Sequence, residues 1–141
     1  DWAGEPRNVM MEKSEPVLGG LSIEYEEPNN ISDELERKLA LLDKINWQSD
    51  TDSLAKDLSK CMADVWKIHP FREGNTRTTI TFFCQLIDEK YKKANRKIFE
   101  DNAVYVRTAL VAYCADFKDG NNYSKKEYLE RIVKDALSGS K

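Results

Sequence analysis

No apolar run in this chain approaches the ~20 residues that a membrane-spanning helix needs, which speaks against a membrane protein. An excess of basic charge is lacking too. The 22 lysines and arginines stand against 25 aspartates and glutamates, and the net charge of −3 argues against a general nucleic-acid binder. Cysteine is scarce and odd in number. Cys61, Cys84 and Cys114 lie far apart, without CxxC spacing, so neither a disulfide framework nor a zinc site is expected. Each falls inside an apolar helical pattern and reads as a buried reduced thiol, which points to a reducing cytoplasm. No signal peptide is visible, and the abrupt opening at Asp1-Trp2-Ala3-Gly4 has the look of a fragment. Histidine is nearly absent: His69 stands alone in 141 residues.

With 40% apolar and 33% charged residues, the length fits one domain, residues 1–141. Proline is confined. Pro6, Pro16 and Pro28 fall before residue 31, and with Gly19-Gly20 they exclude a long helix there. Around that glycine pair, 15–18 and 21–25 read as the arms of a β-hairpin, because Leu21, Ile23 and Tyr25 alternate with polar residues.

From Ser32 the period becomes helical, through Leu35, Leu39, Leu42 and Ile45. Ser49-Asp50-Thr51 caps a second helix whose stripe runs from Leu54 to Ile68 and which Pro70 stops. A third helix is expected from Asn75 to about Lys90. Its apolar residues Ile80, Phe82, Phe83, Leu86 and Ile87 cover much of its circumference, which predicts a central, buried position. After a loop over 90–97, Asp101 is expected to cap a fourth helix carrying Val104, Val106, Leu110, Val111 and Phe117. After a turn at 120–122, Ser124 and Glu127 form an S-x-x-E capping box for a fifth helix through Leu137. The fold class is therefore all-α: a small helical bundle with one β-hairpin arm. Trp47, Trp66, Tyr105 and Tyr113 read as core residues.

The richest stretch is His69-Pro70-Phe71-Arg72-Glu73-Gly74-Asn75-Thr76-Arg77, between the second and third helices. A loop there lies at a helix N-terminus, where free N–H groups and the macrodipole attract anions. Gly74 permits the turn that brings those N–H groups to a phosphate. Arg77, in the first turn, adds a forked charge. Glu73 beside them suits Mg²⁺, which takes a carboxylate together with phosphate oxygens and water. His69 has the chemistry of a general base, and Phe71 reads as the pin that holds the loop in the core. Spacing alone leaves plainer readings open: a structural histidine, an exposed Glu73–Arg77 ion pair and a simple Gly74-Asn75 turn.

The string His69 to Arg77 resembles the Fic (Fido-fold) signature H-P-F-x-[D/E]-G-N-x-R at seven specified positions. Asp1-Trp2-Ala3-Gly4-Glu5-Pro6-Arg7 is similar to the family's Y-x-W-A-G-x-x-R stretch, which precedes a β-hairpin flap, here about 9–25. The resemblance implies that helices before Asp1 are missing here or supplied separately. It implies a protein AMP-transferase that moves AMP from ATP-Mg²⁺ onto a Ser, Thr or Tyr hydroxyl of a target protein. His69 would be the base and Glu73 would hold Mg²⁺. Gly74, Asn75 and Thr76 would form the anion hole and Arg77 would neutralise phosphate charge, with Phe71 beside them at the nucleotide. The target protein would dock on the flap as an added strand.

Two positions depart from the family pattern G-N-G-R-x-x-R. Thr76 stands where it has a second glycine, and Ile80 where it has a second arginine, which in the family grips the γ-phosphate. Losing such a forked contact costs roughly 1.5–3 kcal/mol of binding. Arg72, Lys13 and Lys67 are the available replacements, without a ranking. Ser22 to Glu26 fits the family's inhibitory S/T-x-x-x-E motif only formally, so control is expected from an inhibitory helix outside this sequence or a separate antitoxin. Ile80 keeps a Doc-like protein kinase open as an alternative, as well as other nucleotide donors and a non-catalytic binding module. A bacterial toxin and an effector translocated into a host cell would look alike in this sequence, which carries no sign of oligomeric state.

Overall fold

A computed structural model of the chain describes residues 5–139. Among the described residues are six α-helices: α1 (Ile31–Ala40), α2 (Thr51–Ile68), α3 (Asn75–Lys90), α4 (Arg96–Asp101), α5 (Ala103–Tyr113) and α6 (Glu127–Leu137). Asp50 caps α2 as its sequence suggests, its carboxylate accepting the Ser53 N–H at 2.8 Å.

The central helix is α2, not α3. Leu54, Leu58, Met62 and Trp66 of α2 are all within 1% of complete burial, and the helix touches α1, α3, α5 and α6. α3 buries one face only, through Thr79, Phe83, Cys84 and Ile87, while Phe82 is exposed. Thr81, Gln85 and Asp88 make its other face polar, so the apolar residues form a stripe rather than a sleeve. α6 closes the core opposite, with Leu129, Ile132, Val133 and Ala136 buried. All three cysteines are free; Cys84 and Cys114 are buried and Cys61 is half-buried.

The β-hairpin is not present as such: no strand occurs among the described residues. Residues 8–25 form an irregular arm that turns through a 3₁₀ segment, Pro16–Leu18. Its limbs meet through the backbone bonds Glu15 N–H to Leu21 O and Gly20 N–H to Glu15 O, both at 3.0 Å, and through Lys13 N–H to Ser22 Oγ. Ile23 and Tyr25 are buried as the alternation requires, but Leu21 faces solvent. The arm is pinned by side chains instead of a ladder. Glu15 is buried and receives both Nη atoms of Arg107, at 2.8 and 2.9 Å.

Other expectations also shift. Asp101 ends the short helix α4 rather than capping α5, and Phe117 lies beyond the end of α5. Ser124 Oγ donates to Asn122 Oδ1 instead of the helix, so α6 begins at Glu127 without a side-chain cap. Trp66 is core, whereas Tyr105 is surface, 40% exposed. No helix among the described residues is long and apolar enough to cross a membrane.

Candidate active site

α2 ends in a left-handed residue, and that residue is His69, with φ 52° and ψ 60°. Glycine is the usual occupant of such a C-cap, and His69 is the only described non-glycine residue with positive φ. The conformation is held from outside the helix. Arg7, itself buried, donates Nε to the His69 carbonyl at 2.6 Å and Nη2 to the Ile68 carbonyl at 3.1 Å. Its remaining N–H groups reach the carbonyls of Val9 and Glu26, and its own backbone N–H donates to Pro70 O at 2.7 Å. One guanidinium thus ties the arm to the loop that follows α2. Asp1 to Gly4, the opening of the stretch that ends at Arg7, lie outside the described residues.

The imidazole is 2% exposed. Its ring lies 4.1 Å from that of Tyr25, and Trp66 meets it edge-on at 5.1 Å. Nδ1 is 3.1 Å from the Trp66 carbonyl, which can only accept, so Nδ1 carries the proton. Nε2 therefore presents a lone pair, and Lys13 Nζ stands 3.2 Å from it. Burial, then the Lys13 ammonium, hold the imidazole pKa far below its ordinary value, at about 3, so it is neutral at physiological pH. Burial likewise lowers the Lys13 pKa.

The loop closes on itself through Asn75. Its Oδ1 accepts the Phe71 N–H at 2.8 Å and its Nδ2 donates to the Phe71 carbonyl at 2.7 Å. Gly74 then takes φ 77° at the N-cap of α3, a conformation suited to glycine. The first turn of α3 follows, with backbone N–H groups that have no partner inside the helix. Thr76 reaches inward, its Oγ1 accepting the Trp66 indole N–H at 2.9 Å.

A cavity of about 750 Å³ opens over this turn. His69, Glu73, Gly74, Asn75, Thr76 and Arg77 all line it; Phe71 does not, and stays half-buried behind the loop. Glu73 and Arg77 are exposed and form no ion pair with each other. No cluster of three metal-binding side chains exists among the described residues. Glu73 is the carboxylate on the wall beside the first turn of α3 (Glu100 of α4 lines the cavity as well), and one carboxylate fits Mg²⁺ only when phosphate oxygens and water complete the shell. Ile80 is also on the wall, as are Lys13 and Arg107.

Sequence reasoning missed Arg7 as the clamp on His69, the Glu15–Arg107 anchor and the Trp66–Thr76 bond. Arg7 carried one signal, its place at the end of the W-A-G-x-x-R stretch. The others join distant parts of the chain, and no local pattern announces them.

A profile of the Fic/DOC family matches residues 1–87, which contain the arm, α2 and the whole loop. The chain belongs to the Fic/DOC family. Among curated proteins, it is 33% identical over 86 residues to the probable protein adenylyltransferase y4lH of Sinorhizobium fredii (strain NBRC 101917 / NGR234). That match covers 61% of this chain and 43% of the relative, so the chain spans less than half of that protein's length. Among solved structures, the BepC protein of Bartonella tribocorum, a VirB-translocated effector crystallised with bound AMPPNP, superposes with a TM-score of 0.70 at 16% identity. The N-terminal FIC domain of Bep8 from Bartonella sp. 1-1C superposes with a TM-score of 0.66 at 19% identity. Each covers 96% of this chain, with 65% and 64% of the Bartonella chains covered, and the fold is therefore a Fic fold.

Proposed function

We propose that this chain carries the catalytic loop of a protein adenylyltransferase, moving AMP from ATP onto a hydroxyl of a target protein. The observation that carries the reading is the shared cavity. His69, whose Nε2 carries the lone pair, lines the same cavity as the first turn of α3, Glu73 and Arg77. The family and the name of the Sinorhizobium relative support it.

In this reading the target hydroxyl gives its proton to His69 Nε2 and its oxygen attacks the α-phosphorus of ATP. A P–O bond to the target forms, the α–β bridging bond breaks, and pyrophosphate leaves. The backbone N–H groups of Gly74 to Arg77 and the Arg77 guanidinium stabilise charge on the phosphate. Glu73 would hold Mg²⁺, which would neutralise charge on the phosphate oxygens. Asn75 acts by keeping the loop closed on Phe71, and the target docks along the arm beside His69.

Ile80 on the cavity wall favours one second reading, transfer of the terminal phosphate by a Doc-like kinase. One experiment separates the two. The protein is incubated with Mg-ATP and a cell lysate, and modified proteins are weighed intact. An AMP-sized increment is expected. A phosphate-sized increment would favour the kinase, and no increment would favour a binding module.

A further inference from the structure

Cations stand on two walls of the cavity. Arg77 rises from α3 and Lys13 comes from the arm, and among the described residues neither forms an ion pair with a carboxylate. The other two lining arginines are committed, Arg107 to Glu15 and Arg96 to Asp88. Of the cations that stood as replacements for the arginine missing at Ile80, Lys67 and Arg72 do not line the cavity, and Lys13 does. Lys13 is thus placed to meet an anion held at the first turn of α3.

Its ammonium also occupies the base. His69 is enclosed by Trp66 of α2, by Tyr25 and Lys13 of the arm, and by Arg7, and the charge of Arg107 on α5 also disfavours its protonation. Nε2 is the atom left for a substrate proton, and Lys13 Nζ covers it. A phosphate oxygen is a charged acceptor and holds an ammonium more strongly than a neutral imidazole nitrogen does. The flexible four-carbon stem of lysine lets the head group swing while the arm stays in place.

We propose that Lys13 is the second phosphate-binding cation of this site, and that a bound polyphosphate draws its ammonium off His69 Nε2, so that the base is uncovered only when the donor is in place. The proposal rests on the transferase reading above. It explains how the site tolerates an apolar residue at position 80, and why the resting imidazole is capped.

The test uses the full chain, Mg-ATP, and the variants Lys13→Met and Lys13→Arg. Calorimetry should show ATP affinity about tenfold weaker in Lys13→Met, the size expected for one charged contact, and close to native in Lys13→Arg. His69 is the only histidine, so nitrogen NMR of a labelled imidazole reads one site. The Nε2 resonance should move toward that of an uncapped lone pair in Lys13→Met, and in the same direction when Mg-ATP is added to the native protein. Equal ATP affinity in native protein and Lys13→Met would overturn the proposal alone, as would an Nε2 signal that Mg-ATP leaves in place. A native protein that binds no ATP would overturn the transferase reading and this proposal with it.

Discussion

Arg7 Nε lies 2.6 Å from the carbonyl oxygen of His69, a bond that spans 62 residues of chain. It fixes the one left-handed side-chain-bearing residue described here, and that residue is the candidate base. Arg7→Met keeps the apolar stem and removes every guanidinium bond, leaving carbonyls of Ile68 and His69 without their donor. With a buried charged donor lost, a destabilisation of about 3 kcal/mol is expected, or roughly 10 °C in Tm. Thermal unfolding checks it. Transfer activity measured well below the new Tm should fall as well, because His69 loses the restraint on its carbonyl.

The pH dependence follows from the neutral imidazole. Its folded pKa, about 3, lies below the ordinary 6.5. Between those values the unfolded chain binds a proton that the folded protein refuses, so stability falls as pH falls through this window. Above pH 7 both states are neutral and the contribution vanishes. Carboxylates add their own acid dependence, so the informative quantity is a difference. Urea unfolding of native protein and His69→Gln from pH 7 to 4 should give a shallower acid loss in the variant. Parallel curves would show that the imidazole is not held neutral.

The glycine at the start of α3 gives a third expectation. Gly74 has φ 77°, and an added Cβ would meet no atom within 4 Å. Any loss in Gly74→Ala is therefore conformational rather than steric, about 1 kcal/mol of stability. The same change tilts the first turn of α3 at the anion cradle, so ATP binding, followed by calorimetry, should weaken more than stability does.

Much of this architecture is written in local pattern. The stripe from Leu54 to Ile68 and the capping stretch Ser49-Asp50-Thr51 place α2, and Gly74-Asn75 marks the start of α3. The loop residues at the cavity are legible too, because they are contiguous. What local pattern hides is how the arm is fastened. Alternation at Leu21, Ile23 and Tyr25 looks like a strand, yet Tyr25 packs on Trp66 of α2 and Ile23 joins the core while Leu21 stays exposed. The bonds that hold the arm link Glu15 to Arg107 and Arg7 to His69. The fourth helix expected after an Asp101 cap begins instead at Ala103, behind the short helix α4 that local pattern did not show and that ends at Asn102, whose side-chain amide donates to the Ile98 carbonyl at 2.7 Å.

The Glu15–Arg107 pair makes the fastening testable. Glu15 is buried, and Arg107 is its only ion-pair partner among the described residues. Arg107→Ala leaves that carboxylate unpaired, and the arm is expected to detach rather than the core to melt, since α5 buries Val106, Leu110 and Val111 independently of it. Limited proteolysis should cut between residues 9 and 22 at least tenfold faster than in native protein, with helical circular dichroism retained. A cleavage rate unchanged from native would remove the pair as the anchor.

Thr76 is the residue at the family's glycine position, and its hydroxyl accepts the indole N–H of a fully buried tryptophan. Thr76→Val is nearly isosteric and strands that donor, which costs about 1–2 kcal/mol. Thr76→Gly restores the family residue but also removes the acceptor, and adds backbone entropy to the unfolded chain, so it should be less stable than Thr76→Val. Thr76→Ser keeps the acceptor and should stay within about 0.5 kcal/mol of native. The order Ser, Val, Gly in denaturant midpoint tests this directly. If glycine proved the most stable of the three, the Trp66 bond would not be what threonine contributes at the start of α3.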